Sequence, residues 1–195
     1  MEENLKETKN FFDSMANKWD TVCYHDPDKL KAITTLGNIT ENAKVADIAC
    51  GTGVLFKDIL IHNPSALWGV DLSDKMLEEA SKKFNDERIN LWQGDYSKFD
   101  QKDFDCVFIY SAYPHFPNKS EFARKTASIL KKGGRFILAH SESRHEINHR
   151  HSQGAEHVSD ILSEVSEERR HFDELFDIDI TADTEFIYII SGTKK

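Results

Sequence analysis

The amino-acid sequence predicts an α/β fold built on a seven-stranded sheet, with five parallel strands, an antiparallel hairpin at one edge and helices on both faces. Three observations predict it. Between Lys44 and His140, short apolar runs alternate with stretches of helical spacing, the pattern of a parallel sheet covered by helices. Ahead of that region, residues 1–43 carry helical spacing only. Behind it, two strand-like runs follow each other across a short polar turn, and so tight a connection forces an antiparallel pair.

Each element has its own signal. NLKETKNFFDSMANKW spaces its apolar residues for a helix, and Pro27 between Asp26 and Asp28 opens another through LKAITTL. KVADIA reads as the first strand, and GTGVLFKDILIH as a glycine turn running into a helix. ALWGVD is the second strand, and SDKMLEEASKKF a helix with Ser73 as its N-cap. RINLWQ and FDCVFIY are the third and fourth strands, SEFARKTASILKK a helix, and GRFILAH the fifth strand after a break at Gly133-Gly134. SEVSEERRHFDELF reads as a closing helix, and FDIDITAD and EFIYIISG as the hairpin. The chain is expected to form one domain over residues 1–195, divided at 43, 140 and 163 into a helical start, a core, a connecting segment and a closing helix with hairpin.

Composition narrows the function. Apolar residues make up 39% and charged residues 30%, which suits a globular protein. No apolar run approaches the roughly 20 residues that span a bilayer, so no membrane partner is expected. MEENLKETKN is polar and acidic, unlike a signal or transit peptide, and a cytoplasmic location is the expectation. Cys23, Cys50 and Cys106 form no CxxC pair and are odd in number, which suits reduced thiols. A net charge of −9 repels phosphate backbones and makes nucleic acid an unlikely partner.

Ligands of open α/β sheets sit beyond the carboxyl ends of the strands. The first strand here ends in Asp47-Ile48-Ala49-Cys50-Gly51-Thr52-Gly53. Small residues at 49, 51 and 53 let a ligand approach the backbone and let the chain turn sharply. Asp71 closes the second strand, 20 residues after Gly51, where an acid can accept hydrogen bonds from both hydroxyls of a ribose. A dinucleotide fingerprint requires a third glycine where this chain has the bulky Phe56. The negative Asp47 at the strand end suits instead a nucleoside with an ammonium group and no pyrophosphate, a description that S-adenosylmethionine meets.

VADIACGTGVL, GVDLSDKMLEEA, QGDYSKF, FDCVFIYSAYPHF and LKKGGRFILAH, in this order and spacing, resemble the successive motifs of class I S-adenosylmethionine-dependent methyltransferases, small single-domain members above all. The match covers residues 44–140, and extends more loosely to FFDSMANKWD, which resembles a lid helix, and to the closing helix and hairpin. Ala49 stands where the family usually has glycine. The resemblance implies a Rossmann-like sheet, an N-terminal lid, S-adenosylmethionine as cofactor, and a small-molecule acceptor, with the protein a monomer or homodimer. It implies that Asp47 and the backbone of Ala49, Cys50, Gly51 and Gly53 hold the methionine part, and that Asp71 takes the ribose. Leu72 and Met76 would pack near the adenine, Gly94, Asp95 and Tyr96 would lie by its amino group, and Tyr110 and Ser111 beside the sulfonium. Local readings stand beside these: Asp47 as a helix cap, Asp71 as the start of a turn, Met76 as plain core.

Methyl transfer needs a nucleophile opposite the leaving sulfur and sometimes a base. His115 and His140 follow the fourth and fifth strands, expected neighbours, and are candidates to face one pocket. The chain is similar to a subset of small family members in WD…HDPDKL, PHF and HSESRHEINHRH. The positions carrying that similarity are His25, Asp26, His115, His140, Ser141, Ser143, Arg144, Asn148 and His151. His25, His115, His140 and His151 are therefore the candidate catalytic residues, as bases or substrate-orienting donors, against readings as metal ligands or as separately satisfied polar residues. No metal is assigned to them.

HEINH, residues 145–149, also matches the HExxH pattern of zinc peptidases, with Glu168 or a later histidine as third ligand. Only about 45 residues remain after it to build a cleft, and a segment so rich in His and Glu produces the match easily. A peptidase, a non-catalytic S-adenosylmethionine-binding regulator and a nucleotide-linked oxidoreductase are the competing readings.

Overall fold

The computed structural model describes residues 2–195, Glu2 by its backbone alone. Its sheet has seven strands in the order β3-β2-β1-β4-β5-β7-β6. These are β1 (Lys44–Ile48), β2 (Ala66–Asp71), β3 (Ile89–Gln93), β4 (Phe104–Tyr110), β5 (Leu130–His140), β6 (Phe176–Asp183) and β7 (Tyr188–Lys194). β1 to β5 are mutually parallel, while β7 pairs antiparallel with both β5 and β6. The predicted five-plus-two sheet is thus present. Strand order reverses between β1 and β4, which places the ligand crevice beyond the ends of those two strands.

The helices are α1 (Glu2–Met15), α2 (Trp19–Val22), α3 (Pro27–Leu36), α4 (Phe56–Leu60), α5 (Asp74–Lys83), α6 (Lys119–Ile129), α7 (Arg144–Ser152) and α8 (Val165–Glu168). Alternation along β4 sorts the core into two layers. Cys106, Phe108 and Tyr110 face Leu30 and Ile33 of α3, Phe56 of α4 and Leu77 of α5. Val107 and Ile109 face Phe122 and Ala123 of α6, with Ile147 of α7 and Phe172. Local chemistry sets the helix starts: Asp26 accepts from the amides of Asp28 and Lys29, and Ser73 from that of Met76, as its capping position predicts.

Two predicted helices are shorter than their periodicity suggests. Residues 51–55 form tight turns, leaving α4 only five residues, because Gly51 (φ 55°) and Gly53 (φ 79°) hold left-handed backbone that a helix excludes. The closing helix stops at Glu168 and tightens into a 3₁₀ turn at Arg169–His171. That turn seats Phe172 flat against Phe136, with ring centroids 4.8 Å apart, so packing overrides local helix preference. Similarly, α6 ends at Ile129 and β5 begins at Leu130, ahead of the glycine pair.

Candidate active site

Beyond the ends of β1, β2 and β4 lies a cavity of about 680 Å³, within the roughly 300–1,000 Å³ usual for small-molecule sites. Its floor is the turn after β1. Ala49 (φ 55°) and Gly51 (φ 55°) both adopt left-handed backbone there, and Ala49 does so despite its Cβ. Where the family usually has glycine, this chain thus carries strain. Asp71 braces the turn, one carboxylate oxygen accepting from the Gly51 amide and the other from the Ser73 amide, both at 2.8 Å. Burial pushes its pKa up to about 6, against these amide contacts.

The predicted cofactor-side residues Ala49, Cys50, Gly51, Asp71, Leu72, Met76, Gly94, Asp95, Tyr96, Tyr110 and Ser111 all line this cavity. Asp47 and Gly53 lie behind its wall. A Cβ on Gly53 would come within 2.8 Å of the Phe56 ring, so its smallness serves helix packing. Phe56 is fully buried in the core rather than obstructing the crevice. Asp47 is 1% exposed, its Oδ2 has no hydrogen-bond partner, and burial drives its pKa well up. An unpartnered buried carboxylate oxygen beneath the strand end suits a cationic ligand, through the backbone or a bridging water. The left-handed cradle and Asp71 likewise suit an uncharged ribose. The residues present therefore fit S-adenosylmethionine.

The other end of the cavity holds imidazoles. His25 Nδ1 lies 2.8 Å from the Tyr110 hydroxyl, which lies 2.7 Å from Ser141 Oγ. His115 follows β4 in a short 3₁₀ turn, and its Nδ1 lies 2.9 Å from the Val158 carbonyl oxygen. His25 and His115 line the cavity, whereas His140 and His151 do not. The His151 ring sits 5.1 Å from that of His115, and His140 is 2% exposed at the end of β5. Burial lowers His115 and His151 to about 4 and His140 to about 3, and lowers His25 as well. His25 Nε2, His140 Nε2 and His151 Nδ1 are buried without partners. Two of the four candidate histidines thus reach the cavity and two back the wall behind it.

HEINH lies on α7, where His145 and His149 stack with ring centroids 6.3 Å apart. Glu168, the suggested third ligand, points elsewhere and accepts from the Tyr113 hydroxyl at 2.9 Å. Among the described residues no three His, Cys, Asp or Glu side chains are grouped to hold a metal ion. Arg144, one of the positions carrying the subset similarity, is engaged by Asp183 at 3.0 Å and Glu164 at 3.6 Å. Other residues of the shared subset have structural roles: Ser143 caps α7, and Asn148 holds both backbone groups of Leu162.

Sequence reasoning missed several residues of the site. Asn4, Leu5, Thr8 and Phe12 of α1, with Trp19, form its roof. Phe12 and Trp19 lie within the lid-like FFDSMANKWD, so the stretch was legible although its inward side chains were not. Phe12 meets the His115 ring edge-on at 5.0 Å. Val158 and Ser159, which hold His115, carry no sequence signal at all.

A family model described as a methyltransferase domain matches residues 46–138. A carboxy-S-adenosyl-L-methionine synthase from Campylobacter fetus subsp. fetus is 30% identical over 159 residues, 73% of this chain and 68% of that protein. A demethylmenaquinone methyltransferase from Thermotoga maritima is 26% identical over 68% of this chain and 61% of its own length. A sterol 24-C-methyltransferase from Candida albicans is 30% identical over 51% of this chain, which spans only 28% of that relative. Among solved structures, magnesium protoporphyrin IX methyltransferase from Synechocystis PCC 6803 with bound S-adenosylhomocysteine superposes with a TM-score of 0.74 at 17% identity, covering 98% of this chain and all 100% of that one. A geranyl diphosphate C-methyltransferase from Streptomyces coelicolor A3(2) gives 0.78 at 10% identity, with 98% of each chain covered.

Proposed function

This chain belongs to the class I S-adenosylmethionine-dependent methyltransferases, and on that premise we propose that it moves the methyl group to a small-molecule acceptor enclosed beneath its N-terminal lid. The observation carrying this reading is the roofed cavity: α1 and Trp19 lie over a space of about 680 Å³, a size that suits a small acceptor beside the cofactor. No helix among the described residues is long and apolar enough to cross a membrane.

In this reading the turn from Ala49 to Gly53 and the nearby Asp47 hold the amino-acid part of the cofactor. Asp71 accepts from the ribose hydroxyls. Leu72, Met76, Asp95 and Tyr96 form the adenine slot. Tyr110 and Ser111 stand where the strand order reverses, between this slot and the histidine end. S-adenosylmethionine supplies the electrophilic methyl group when bound. The protein's own contribution is to align the acceptor for in-line displacement, to exclude water and to accept a proton. The relatives named above include methyltransferases of sterols and of demethylmenaquinone, so likeness alone does not select the acceptor.

A screen of small acceptors with methyl-labelled S-adenosylmethionine tests the proposal. Label is expected in a small product, with stoichiometric S-adenosylhomocysteine. Cofactor binding without transfer to any acceptor, in a cavity that the nucleoside alone fills, would favour the non-catalytic regulator.

A further inference from the structure

His115 stands between two spaces. One side borders the large cavity. The other borders a polar recess of about 240 Å³, walled by Glu156, His157, Val158, Ser159 and Asp160. We propose that His115 is the base of the reaction, taking the proton of a neutral X–H acceptor at Nε2 on its cavity side, while the proton already held at Nδ1 leaves to the Ser159 hydroxyl, which releases its own proton to water in the recess. This deepens the methyl-transfer reading above and rests on it.

The tautomer follows from the contacts. A carbonyl oxygen can only accept, so the 2.9 Å contact with Val158 requires the proton on Nδ1. Ser159 Oγ, 3.0 Å from the same nitrogen, is then a second acceptor. Were Nδ1 bare, its lone pair would face that of the carbonyl. With Nδ1 protonated and the ring neutral, Nε2 carries a lone pair, and no described side chain or backbone group donates to it. The charged and titratable groups around the ring leave it neutral: burial dominates, Lys119 opposes protonation and Asp160 favours it. His151 lies 5.1 Å away ring to ring, and His140 is close behind.

The same surroundings define the acceptor. An anionic acceptor would need a cation, and the nearby cations among the described residues are engaged. Lys119 Nζ donates to the carbonyls of Phe116 at 2.7 Å and Tyr113 at 3.1 Å and pairs with Asp160 at 3.2 Å. Arg150 pairs with Glu142, and Lys125 donates to the Phe99 carbonyl. A cationic acceptor would oppose the sulfonium. A neutral alcohol, phenol or thiol avoids both penalties. As its heteroatom bonds to the methyl carbon, the carbon–sulfur bond breaks with its electrons on sulfur, and the X–H proton goes to His115 Nε2. The positive charge lost from sulfur appears on the imidazole, so the buried site keeps its net charge.

The test is long-range proton–nitrogen NMR on the ¹⁵N-histidine-labelled full chain saturated with S-adenosylhomocysteine, with His115 assigned by His115→Gln and, independently, by His115→Asn. The expected spectrum shows a neutral Nδ1–H tautomer from pH 8 down to below 6. Phenol, a neutral protic probe, is expected to shift Nε2 toward its hydrogen-bonded value, and benzoate to leave it in place. Ser159→Ala should keep the tautomer while slowing exchange of the Nδ1 proton with water by roughly threefold or more. A proton on Nε2, no response to phenol, or a larger response to benzoate overturns the base and its acceptor class; unchanged exchange overturns the exit route. Loss of S-adenosylhomocysteine binding, measured by calorimetry, would instead sink the methyltransferase reading and leave the tautomer result standing.

Discussion

At the scale of the single residue, burial sets protonation. His140 is 2% exposed and its pKa lies near 3 because its ring is desolvated. The unfolded chain takes up this proton near pH 6.5, the folded chain only near 3, so the contribution of His140 to stability falls as pH drops through that window. Relative to His140→Asn, the wild type should therefore lose about 2 kcal/mol between pH 6.5 and 4.5, read from denaturant midpoints. A constant difference would mean that His140 is not held neutral. Ala49 shows a second residue effect. In left-handed backbone its Cβ costs about 1–2 kcal/mol, while glycine loses only about 0.5–1 kcal/mol of chain entropy. Ala49→Gly should raise stability slightly, and a fall would show that the methyl group packs usefully. The sequence made Asp71 legible, since an acid ending a strand 20 residues after a glycine turn has few other uses. It left the tautomer of His115 hidden, because the carbonyl that fixes it belongs to Val158, 43 residues further on and on a different loop.

At the scale of the element, the question is what holds α1 over the cavity. The polar contacts of α1 and the adjoining α2 are numerous. Asp13 accepts from Ser73 Oγ and Lys9 at 2.6 Å each, and Asp20 accepts from Thr52 Oγ1 at 2.5 Å and pairs with Lys83 at 2.6 Å. The Lys9 and Asp13 side chains are 31% and 24% exposed, however, and such pairs contribute about 0.2–1 kcal/mol. Fully burying an aromatic side chain contributes about 1.5–3 kcal/mol, and Phe12 and Trp19, both half-buried, should together still outweigh these pairs. Trp19→Ala is expected to weaken S-adenosylhomocysteine binding roughly tenfold, and Lys9→Ala less than threefold; the reverse ranking would make the lid an electrostatic latch. Elements were legible where periodicity and caps agreed, as in α5 with Ser73. They were misjudged where tertiary contacts decided the ending, as Phe172 does after α8 by stacking on Phe136.

At the scale of the whole molecule, the strand order puts the carboxyl ends of β1 and β4 side by side and opens the crevice there. Alternating strands and helices made the parallel sheet readable, and the tight turn at Thr184 made the hairpin readable. The enclosure could not be read, because it joins α1, the loop after β4 and residues 156–160 from distant parts of the chain. A ligand that seats in this crevice stabilises the entire fold. At a hundredfold excess over its Kd, S-adenosylhomocysteine should add about 2.7 kcal/mol and raise the melting temperature by roughly 5–10 °C, whereas NADH should add nothing. The most direct measurement is a calorimetric titration of S-adenosylmethionine into the wild type and Asp71→Asn between pH 5 and 8. The wild type should bind one molecule per chain, with affinity declining as pH falls below about 6, where Asp71 takes up its proton. The variant should bind about 10- to 100-fold more weakly, with that pH dependence gone. Equal affinity in the two proteins, or no binding in either, would contradict the account.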